Sequence, residues 1–585
     1  MFSTPPEPLT QRQRTIVWIV ALVCAATRLL AVARSLWDWD EALFTMAMRD
    51  YDVRMHHPHP PGFPVFIALA KVVRLVVPND FRALQTVNVI AAMLVFLAVF
   101  LFARELRLRF ATCVSAGALF AFFPNVWFFG GGAFSDIPSI VLVLFAVTLL
   151  LKGVRDRKAY WLGTLLLALA IGIRPQNFLV GLIPGLIATR RRRWWEVLVA
   201  LLIGLVIVGA ALGGAIYATG SLHEYQRMVR EHGQYIAQVD SFRSPDRPPL
   251  WRISDRFFVK QYQSPVLSII ASIFVAVSLV GATRERNRSL LVNALTFLPF
   301  AIFAWMLLDR FSISRFSIGY QPMFAIFLAD GLARVGKKRE WMLSAALILA
   351  FFVYTLPGLT PVRNEIAPSI LAAQAAAKRV KTERAQLFVS RTMTVFLDLC
   401  APGLPYTAVL DDRAMPFTES KNAWLLAEIE TTPEEGLVFK RERGHLWNIS
   451  RRHYFEIKLE PVPARARFVS GWYAPELLKA DQWRWMSGSS MTMLPGVRGE
   501  ALLRLHFGVP RESLAKNPTV TVKINGSVIE RFAVTSDSVE RDFHVQPAPN
   551  NAPNVLELFI DRTVDPEHEP RELGLRLRHM SWGPA

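Results

Sequence analysis

Residues 35–64 read SLWDWDEALFTMAMRDYDVRMHHPHPPGFP, a polar stretch directly after the first long apolar segment. A carboxylate pair such as Asp40 and Glu41, placed just outside an apolar helix, can bind a metal, remove a proton or hold a polar ligand. The structural alternative makes Asp40 the N-cap of a helix that begins at Glu41, where it would accept hydrogen bonds from free backbone N–H groups. The two roles are compatible, because a helix N-terminus favours anions.

The apolar composition of the chain predicts an integral membrane protein. Of the 585 residues, 52% are hydrophobic, mean hydropathy is +0.29, and the apolar residues form long runs with few charges. The net charge of +19 does not indicate a nucleic-acid partner. Much of it lies in short clusters between apolar runs, as in cytoplasmic loops, at 104–109, 152–158, 190–193, 284–288 and 337–340.

The apolar runs predict about eleven membrane spans, with the N-terminus inside and the C-terminal region outside. Ala31-Val32-Ala33 resembles a signal-peptidase site, but Arg28 inside the first run and the many later spans favour an uncleaved anchor. The predicted spans are 15–33, 83–103, 110–128, 137–151, 160–173, 177–189, 195–217, 265–282, 290–308, 316–333 and 341–356.

Segment 63–78 is predicted to lie along the membrane surface rather than to cross it. The run is shorter than the roughly 20 residues a bilayer requires and is bounded by prolines. Lys71 and Arg74 are three residues apart, on one helical face, which is typical of an interfacial helix.

Beyond a transmembrane domain over 1–356, the sequence predicts a small soluble α/β domain at 365–463 and a β-sandwich-like domain at 464–585. Short strands separated by turn residues indicate the sandwich, and Asn525-Gly526 predicts a hairpin within it. Its aromatic segment can bind carbohydrate or fill a core, two roles that the sequence leaves open for Trp472, Tyr473, Trp483 and Trp485.

Further charged residues fall at the predicted external ends of spans. Asp136 is either an N-cap, like its neighbour Ser135, or a second acidic group in the same external cavity as Asp40. Arg174 and Arg315 either snorkel or hold a lipid phosphate, which arginine binds in bidentate fashion. Arg28 lies inside its span, where an ionisable group indicates function.

His57 and His59 flank Pro58, and Pro60-Pro61 follows, so the backbone here is restricted. Two histidines two apart in an extended chain face the same side. They could bind a divalent metal, although a third ligand at a recognisable spacing is missing. The favoured interpretation is a proline-stiffened elbow that leads into the interfacial helix.

Three motifs follow one another in the chain and form one pattern. They are an external Asp-Glu after the first span (Asp40-Glu41), a His-Pro-Pro elbow (His59-Pro60-Pro61) and a second external Asp (Asp136). This pattern resembles the GT-C class of membrane glycosyltransferases, specifically the protein O-mannosyltransferase and lipid A aminoarabinose transferase group. The resemblance covers about residues 15–335. The elbow continues Gly62-Phe63-Pro64, which departs from both subfamilies and leaves the acceptor undefined.

The resemblance implies a hexosyl or pentosyl transferase that takes a sugar from a polyprenyl-phosphate donor. The acceptor, a lipid, glycan or protein, would lie on the external face of the membrane. By analogy, the protein itself would lie in the bacterial inner membrane. Asp40 would be the base, with Glu41 its neighbour and Asp136 a second acidic residue. Arginines would hold the donor phosphate, Arg315 first and then Arg174 and Arg28. His57 and His59 would belong to the elbow.

This chemistry suits the residue types. A hydroxyl that attacks an anomeric carbon needs a carboxylate base within hydrogen-bond reach. A polyprenyl phosphate leaves readily, so a cation matters more than a general acid. The alternative function is a transporter or flippase of lipid-linked sugars, although the sequence has no paired inverted halves. Asp309 is an alternative, structural partner for Arg315.

Overall fold

A computed structural model of the chain divides into two compact units. One comprises Met1–Leu371 and Lys440–Phe455, and the other comprises Ala372–Phe439 and Glu456–Ala585. The proposed division into three domains stays a prediction. The structure describes residues 2–239, 241–244, 249–307, 313–409, 422–429, 436–441, 446, 455–462, 467–478, 481–566 and 571–585.

The first unit is helical. Its long helices correspond to the predicted apolar runs. An apolar run in a bilayer forms a helix because only a helix satisfies all the backbone hydrogen bonds within one segment. In chain order the helices are α1 Gln11–Arg28, α2 Trp39–Ala47, α3 Pro64–Val73, α4 Asp80–Glu105, α5 Phe110–Phe122, α6 Pro124–Phe129, α7 Asp136–Gly153, α8 Arg157–Ile173, α9 Asn177–Thr189, α10 Trp194–Thr219, α11 Leu222–Val239, α12 Leu250–Ser254, α13 Pro265–Arg284, α14 Arg288–Leu307, α15 Ile313–Phe316, α16 Gln321–Gly336 and α17 Glu340–Asn364.

The predicted fold class, a polytopic helical membrane protein with a β-rich C-terminal region, is confirmed. In the described part of the chain, seven helical segments are long and apolar enough to cross a bilayer. Their large apolar side chains are often exposed, as at Leu22 and Leu205, which suits contact with lipid. The figure of eleven spans stays a prediction, since α5 and α9 have only 13 residues each.

Two predicted apolar segments differ from simple spans. The run at 110–128 is broken at Phe123, where α5 ends and α6 begins with Pro124. The run at 63–78 forms only the ten-residue α3, about 15 Å long and too short for a hydrocarbon core of about 30 Å. Exposed Leu75 and Val76 follow it. Arg74, the C-cap residue of α3, pairs with Asp80 at 2.8 Å, and its position on one face with Lys71 stays a prediction.

In the second unit, a five-stranded sheet carries the predicted α/β pattern. Strand β1 pairs in parallel with β2 and β3, and the central strand β3 pairs antiparallel with β5, in the order β2-β1-β3-β5-β4. The predicted strand at 406–412 is present over Thr407–Val409, and its last three residues lie outside the described ones. The elements are α18 Pro368–Glu383, β1 Gln386–Ser390, α19 Arg391–Cys400, β2 Thr407–Val409, β3 Ala423–Glu428, β4 Leu437–Lys440 and β5 Glu456–Pro461.

The C-terminal strands are connected by hydrogen bonds into one eight-stranded sheet, and the predicted sandwich arrangement stays a prediction. Alternate residues such as Leu503, Val522 and Leu558 fill a common apolar core. Asn525 and Gly526 adopt φ of 52° and 80° and close the predicted hairpin. Strand β11 was not predicted, because VERDFHV is mostly polar. The elements are β6 Arg467–Leu478, β7 Asp481–Leu494, β8 Ala501–Gly508, α20 Arg511–Leu514, β9 Thr519–Ile524, β10 Ser527–Ala533, β11 Val539–Val545, β12 Asn554–Ile560 and β13 Arg576–Pro584.

The aromatic side chains proposed for carbohydrate binding are half-buried. The Trp472 indole donates to Thr492 at 3.1 Å and packs against the core of the sheet. The Trp483 indole donates to Glu476 at 3.0 Å. At least these two tryptophans therefore have structural contacts, and carbohydrate binding stays a prediction.

Candidate active site

The site begins at the N-terminus of α2. The helix starts at Trp39 and its N-cap is Asp38, whose carboxylate accepts from the Asp40 N–H at 2.9 Å. The prediction that Asp40 itself caps a helix beginning at Glu41 is therefore wrong by two residues. The cap is taken by the earlier aspartate, so Asp40 lies in the first turn with its side chain available for other contacts.

Glu41 is fully buried and ties α2 to a neighbouring loop. One carboxylate oxygen accepts from the backbone N–H groups of Trp37 and Asp38, at 2.9 and 3.1 Å, and completes a capping box. The other oxygen accepts from Ala133 N–H at 2.7 Å. Burial raises the pKa of Glu41 to about 7, against the opposing effect of these backbone donors. Its contacts are those of a positioning residue.

The loop that Glu41 holds is the glycine-rich segment before α7. A Cβ on Gly131 would lie 1.8 Å from the Ala31 carbonyl oxygen, and one on Gly132 would lie 2.6 Å from Glu41 Oε1. At Gly131, only glycine allows the two backbones to approach so closely. Buried Gln85 and Asn88 of α4 hold the same loop by donating to its carbonyl groups. The loop is thereby set in position for the residues that follow it.

Asp136, in the first turn of α7, pairs with Arg174 at the end of α8. The Arg174 guanidinium donates to Asp136 at 2.8 Å and to the Ser135 hydroxyl at 3.0 Å. Ser135 is the N-cap but makes no capping hydrogen bond with its side chain. Both charged side chains are less than a tenth exposed. Asp136 and Arg174, which the sequence singled out separately, therefore form a buried ion pair.

Arg315 joins the two halves of the site. It donates to Asp40 from 275 residues away in the sequence, and its guanidinium nitrogens lie 3.8 Å from Asp38 and 3.7 Å from Asp136. The side chain is 10% exposed. These carboxylates outweigh the effect of burial and raise the pKa of Arg315 above its usual range, so the side chain stays a cation.

The side chains that meet here are called the carboxylate–arginine cluster: Asp38, Asp40, Asp136, Arg174 and Arg315. When all are ionised, three negative charges face two positive ones, so the cluster carries a net charge of −1. Asp40, Asp136 and Arg315 converge, as the sequence interpretation required. Asp38 was not chosen from the sequence, although its position three residues before Glu41 is a capping-box signal.

Two histidines border the cluster. His59 Nδ1 lies 3.8 Å from Asp40 Oδ1, and its ring is 5.6 Å from that of His232 on α11. Burial lowers the pKa of His59 to about 4, so the imidazole is neutral at pH 7. His232 was missed because it lies in a segment predicted to be an external loop. That segment contains an amphipathic helix, a signal visible in its sequence.

Other predicted residues lie apart from these contacts. His57 is held by backbone bonds to Asp52 and lies 3.8 Å from Asp50; the His57-Pro58 and Pro60-Pro61 peptide bonds are cis. Arg28 donates to the Cys24 and Ala121 carbonyl groups. These bonds account for Arg28 without a ligand, and its proposed role at the donor phosphate stays a prediction.

No set of three His, Cys, Asp or Glu side chains suited to a metal ion occurs in the described part of the chain. The divalent metal therefore stays an untested alternative. Asp309, the other partner considered for Arg315, lies outside the described residues.

Sequence comparison finds a family resemblance over part of the chain that includes some of the site residues. Residues 56–213 match the family model described as dolichyl-phosphate-mannose-protein mannosyltransferase. This match agrees with the predicted resemblance to GT-C glycosyltransferases and includes His59, Asp136 and Arg174. A search of curated proteins found no matching relative.

Several solved structures are similar to the chain at low sequence identity. ArnT from Cupriavidus metallidurans in the apo state is 13% identical, with 76% of this chain and 97% of that chain covered and a TM-score of 0.47. The same protein bound to undecaprenyl phosphate is 11% identical, with 77% and 98% covered and a TM-score of 0.47. The Archaeoglobus fulgidus oligosaccharyltransferase in complex with Zn and sulfate is 10% identical, with 97% of each chain covered and a TM-score of 0.45.

Proposed function

We propose that the protein is a membrane glycosyltransferase. It moves a sugar from a polyprenyl-phosphate donor to a hydroxyl-bearing acceptor at the external face of the membrane. The observation that carries the proposal is the convergence of Asp40, Asp136 and Arg315 at the ends of helices. The family match to dolichyl-phosphate-mannose-protein mannosyltransferase supports the lipid-phosphate class of donor.

In this proposal Asp40 is the base. The acceptor hydroxyl attacks the anomeric carbon, its proton passes to the Asp40 carboxylate, and the bond from that carbon to the phosphate oxygen breaks. The leaving phosphate keeps the electron pair. Arg315 bonds Asp40 Oδ2, which favours the ionised carboxylate, while Oδ1 is turned toward His59. Inversion at the anomeric carbon follows from this single displacement.

The arginines stabilise the leaving phosphate. Arg315 presents several N–H donors at once, a geometry suited to two phosphate oxygens. Arg174 is held by Asp136 and Ser135, so its guanidinium plane is already oriented. Negative charge on the phosphate grows as the bond breaks, and preorganised cations stabilise that state more than the bound donor.

A transporter of lipid-linked sugars is the second candidate considered from the sequence. Transport requires sites that alternate in access, commonly at interrupted helices near the middle of the bilayer. The charged groups of the cluster instead lie at helix ends and in loops, at α2, α7, α8 and α15. This placement favours chemistry at one surface.

The test is transfer from a synthetic polyprenyl-phosphate sugar by purified Asp40→Asn. We expect the change to lower kcat by at least about 100-fold, since a positioned base contributes roughly 10²–10⁴-fold. Asp50→Asn is the matched control, because Asp50 lies in the same stretch and its side chain is 74% exposed. Activity of Asp40→Asn within about tenfold of wild type would contradict the assigned base.

A further inference from the structure

The carboxylate–arginine cluster has fewer positive than negative charges, which disfavours the binding of an anionic substrate. Arg315 faces three carboxylates, and Arg174 is bonded to one of them. A phosphate that enters this net negative cluster would be repelled unless another cation lies nearby. The first unit contains one that the proposed mechanism does not use.

That cation is Arg441, which belongs to the first unit although it comes late in the chain. Segment Lys440–Phe455 is part of this unit, and its described members contact the helices. The Phe455 ring packs 5.9 Å from the Trp37 ring, next to the cap Asp38. Leu446 fills the space above Gly358 of α17, where an added Cβ would meet it at 2.2 Å.

Arg441 is buried without a hydrogen-bond partner. It is 4% exposed, and its Nε, Nη1 and Nη2 atoms have no hydrogen-bond acceptor among the described residues. Its guanidinium stacks over the Phe455 ring at 5.1 Å. Burial lowers the pKa of Arg441 to about 10 and outweighs the attraction of Glu365 and Glu41. A buried, incompletely compensated cation costs stability, so a structural role does not account for it.

We propose that Arg441 forms a phosphate-binding subsite near the N-terminus of α2, with its guanidinium stacked on Phe455, whose ring packs against Trp37. The inference rests on the proposed function for the source of the phosphate, namely the polyprenyl phosphate of the donor or product. A free phosphate ion has the same chemistry and would be bound by the same donors. Arginine suits this task because its planar group offers several N–H donors to phosphate oxygens.

The test measures thermal stability and ligand binding on the full-length protein in detergent. Without ligand, Arg441→Met should raise Tm by at least about 2 °C, because it replaces an unpaired buried charge with an apolar chain. The same variant should weaken the binding of polyprenyl phosphate by roughly 10- to 150-fold, the loss of a charged hydrogen bond. Arg441→Lys should retain part of the affinity.

Arg391→Met is the matched control, since Arg391 is an exposed arginine at the start of α19. It should leave both measurements at wild-type values. Neutral polyprenol should not bind more weakly to Arg441→Met than to wild type. Inorganic phosphate that competes in wild type but not in Arg441→Met would show that the phosphate group alone is recognised.

Equal affinity of wild type and Arg441→Met for polyprenyl phosphate would overturn the inference. So would a fall in Tm of the unliganded variant, which would make Arg441 a structural residue. Arg441→Gln, which keeps a polar side chain without the charge, provides a second comparison, and a fall in its Tm as well would confirm a structural role. The two proposals fail separately: wild-type transfer by Asp40→Asn would remove the assigned base and leave the phosphate measurement intact.

Discussion

Arg315 is the residue on which the carboxylate–arginine cluster depends, because it is shared by three carboxylates. We expect Arg315→Ala to lower kcat/KM by at least about 100-fold, with part of the loss in kcat, since the phosphate charge grows in the transition state. Arg315→Lys keeps the charge but loses the planar donors, so its activity should be intermediate. Steady-state kinetics with the synthetic donor measure both.

Arg54→Ala is the control for Arg315, since Arg54 pairs with Asp52 at 2.7 Å but is 47% exposed. Its removal should leave the kinetics unchanged, as expected for a surface ion pair. If Arg315→Ala lowered only Tm and the folded enzyme kept wild-type kinetics, Arg315 would be a structural partner of the carboxylates and not a phosphate ligand.

Glu41 and His59 should give stability opposite dependences on pH. The pKa of Glu41 is raised to about 7, so its contribution is full below the unfolded value and is lost as pH rises through 7. The pKa of His59 is lowered to about 4, so its contribution is full above the unfolded value and is lost as pH falls toward 4. In wild type the two effects oppose each other between about pH 4.5 and 6.5.

Substituting either Glu41 or His59 should therefore leave the effect of the other residue on the pH dependence of Tm. With Glu41→Gln, Tm should fall more steeply than in wild type as pH is lowered from 7 to 5. With His59→Asn, Tm should fall less steeply or rise over the same interval. Thermal unfolding followed by tryptophan fluorescence provides the comparison. Identical pH slopes in wild type and both variants would contradict these assignments.

At the level of elements, the loop before α7 is held by close backbone contact. Gly131→Ala places a methyl group against the Ala31 carbonyl oxygen, and overpacking of this kind costs about 1–3 kcal/mol. We expect a lower Tm and reduced transfer, because the loop leads to Ser135 and Asp136. Gly204→Ala in α10, which meets nothing within 4 Å, is the control and should have wild-type Tm or slightly more.

The short helix α3 should not cross the membrane. Its ten residues span about half of a hydrocarbon core. A reporter enzyme fused after Pro78 should therefore be located on the same side of the membrane as a reporter fused after Met48. Opposite sides would make this segment a span, and the orientation of every later loop would be inverted.

At the level of the whole molecule, the first unit includes segment Lys440–Phe455, which follows the first part of the second unit in the sequence. A chain ending at residue 371 lacks Phe455 and Leu446, which pack at Trp37 and Gly358. A chain ending at residue 463 keeps both and the complete five-stranded sheet. We expect the shorter chain to have a clearly lower Tm in detergent than the longer one. Equal values would show that segment Lys440–Phe455 contributes no stability to the helices.

The sequence by itself determined the membrane class, the β-rich C-terminal region, the hairpin at Asn525-Gly526 and the candidates Asp40, Asp136 and Arg315. These depend on local signals, namely long apolar runs, turn residues and charges at the ends of runs, which act over a few residues. A capping box is equally local, so Asp38 was accessible to the same reasoning.

Only the tertiary structure decided which charges meet. Arg315 reaches Asp40 across 275 residues, and His232 lies beside His59 although it comes from a distant segment of the chain. Glu41 and Asp40 are adjacent in sequence, yet one is buried among backbone donors and the other faces an arginine. The physical reason is that a charge acts through space and burial, and both are set by packing between elements far apart in the chain.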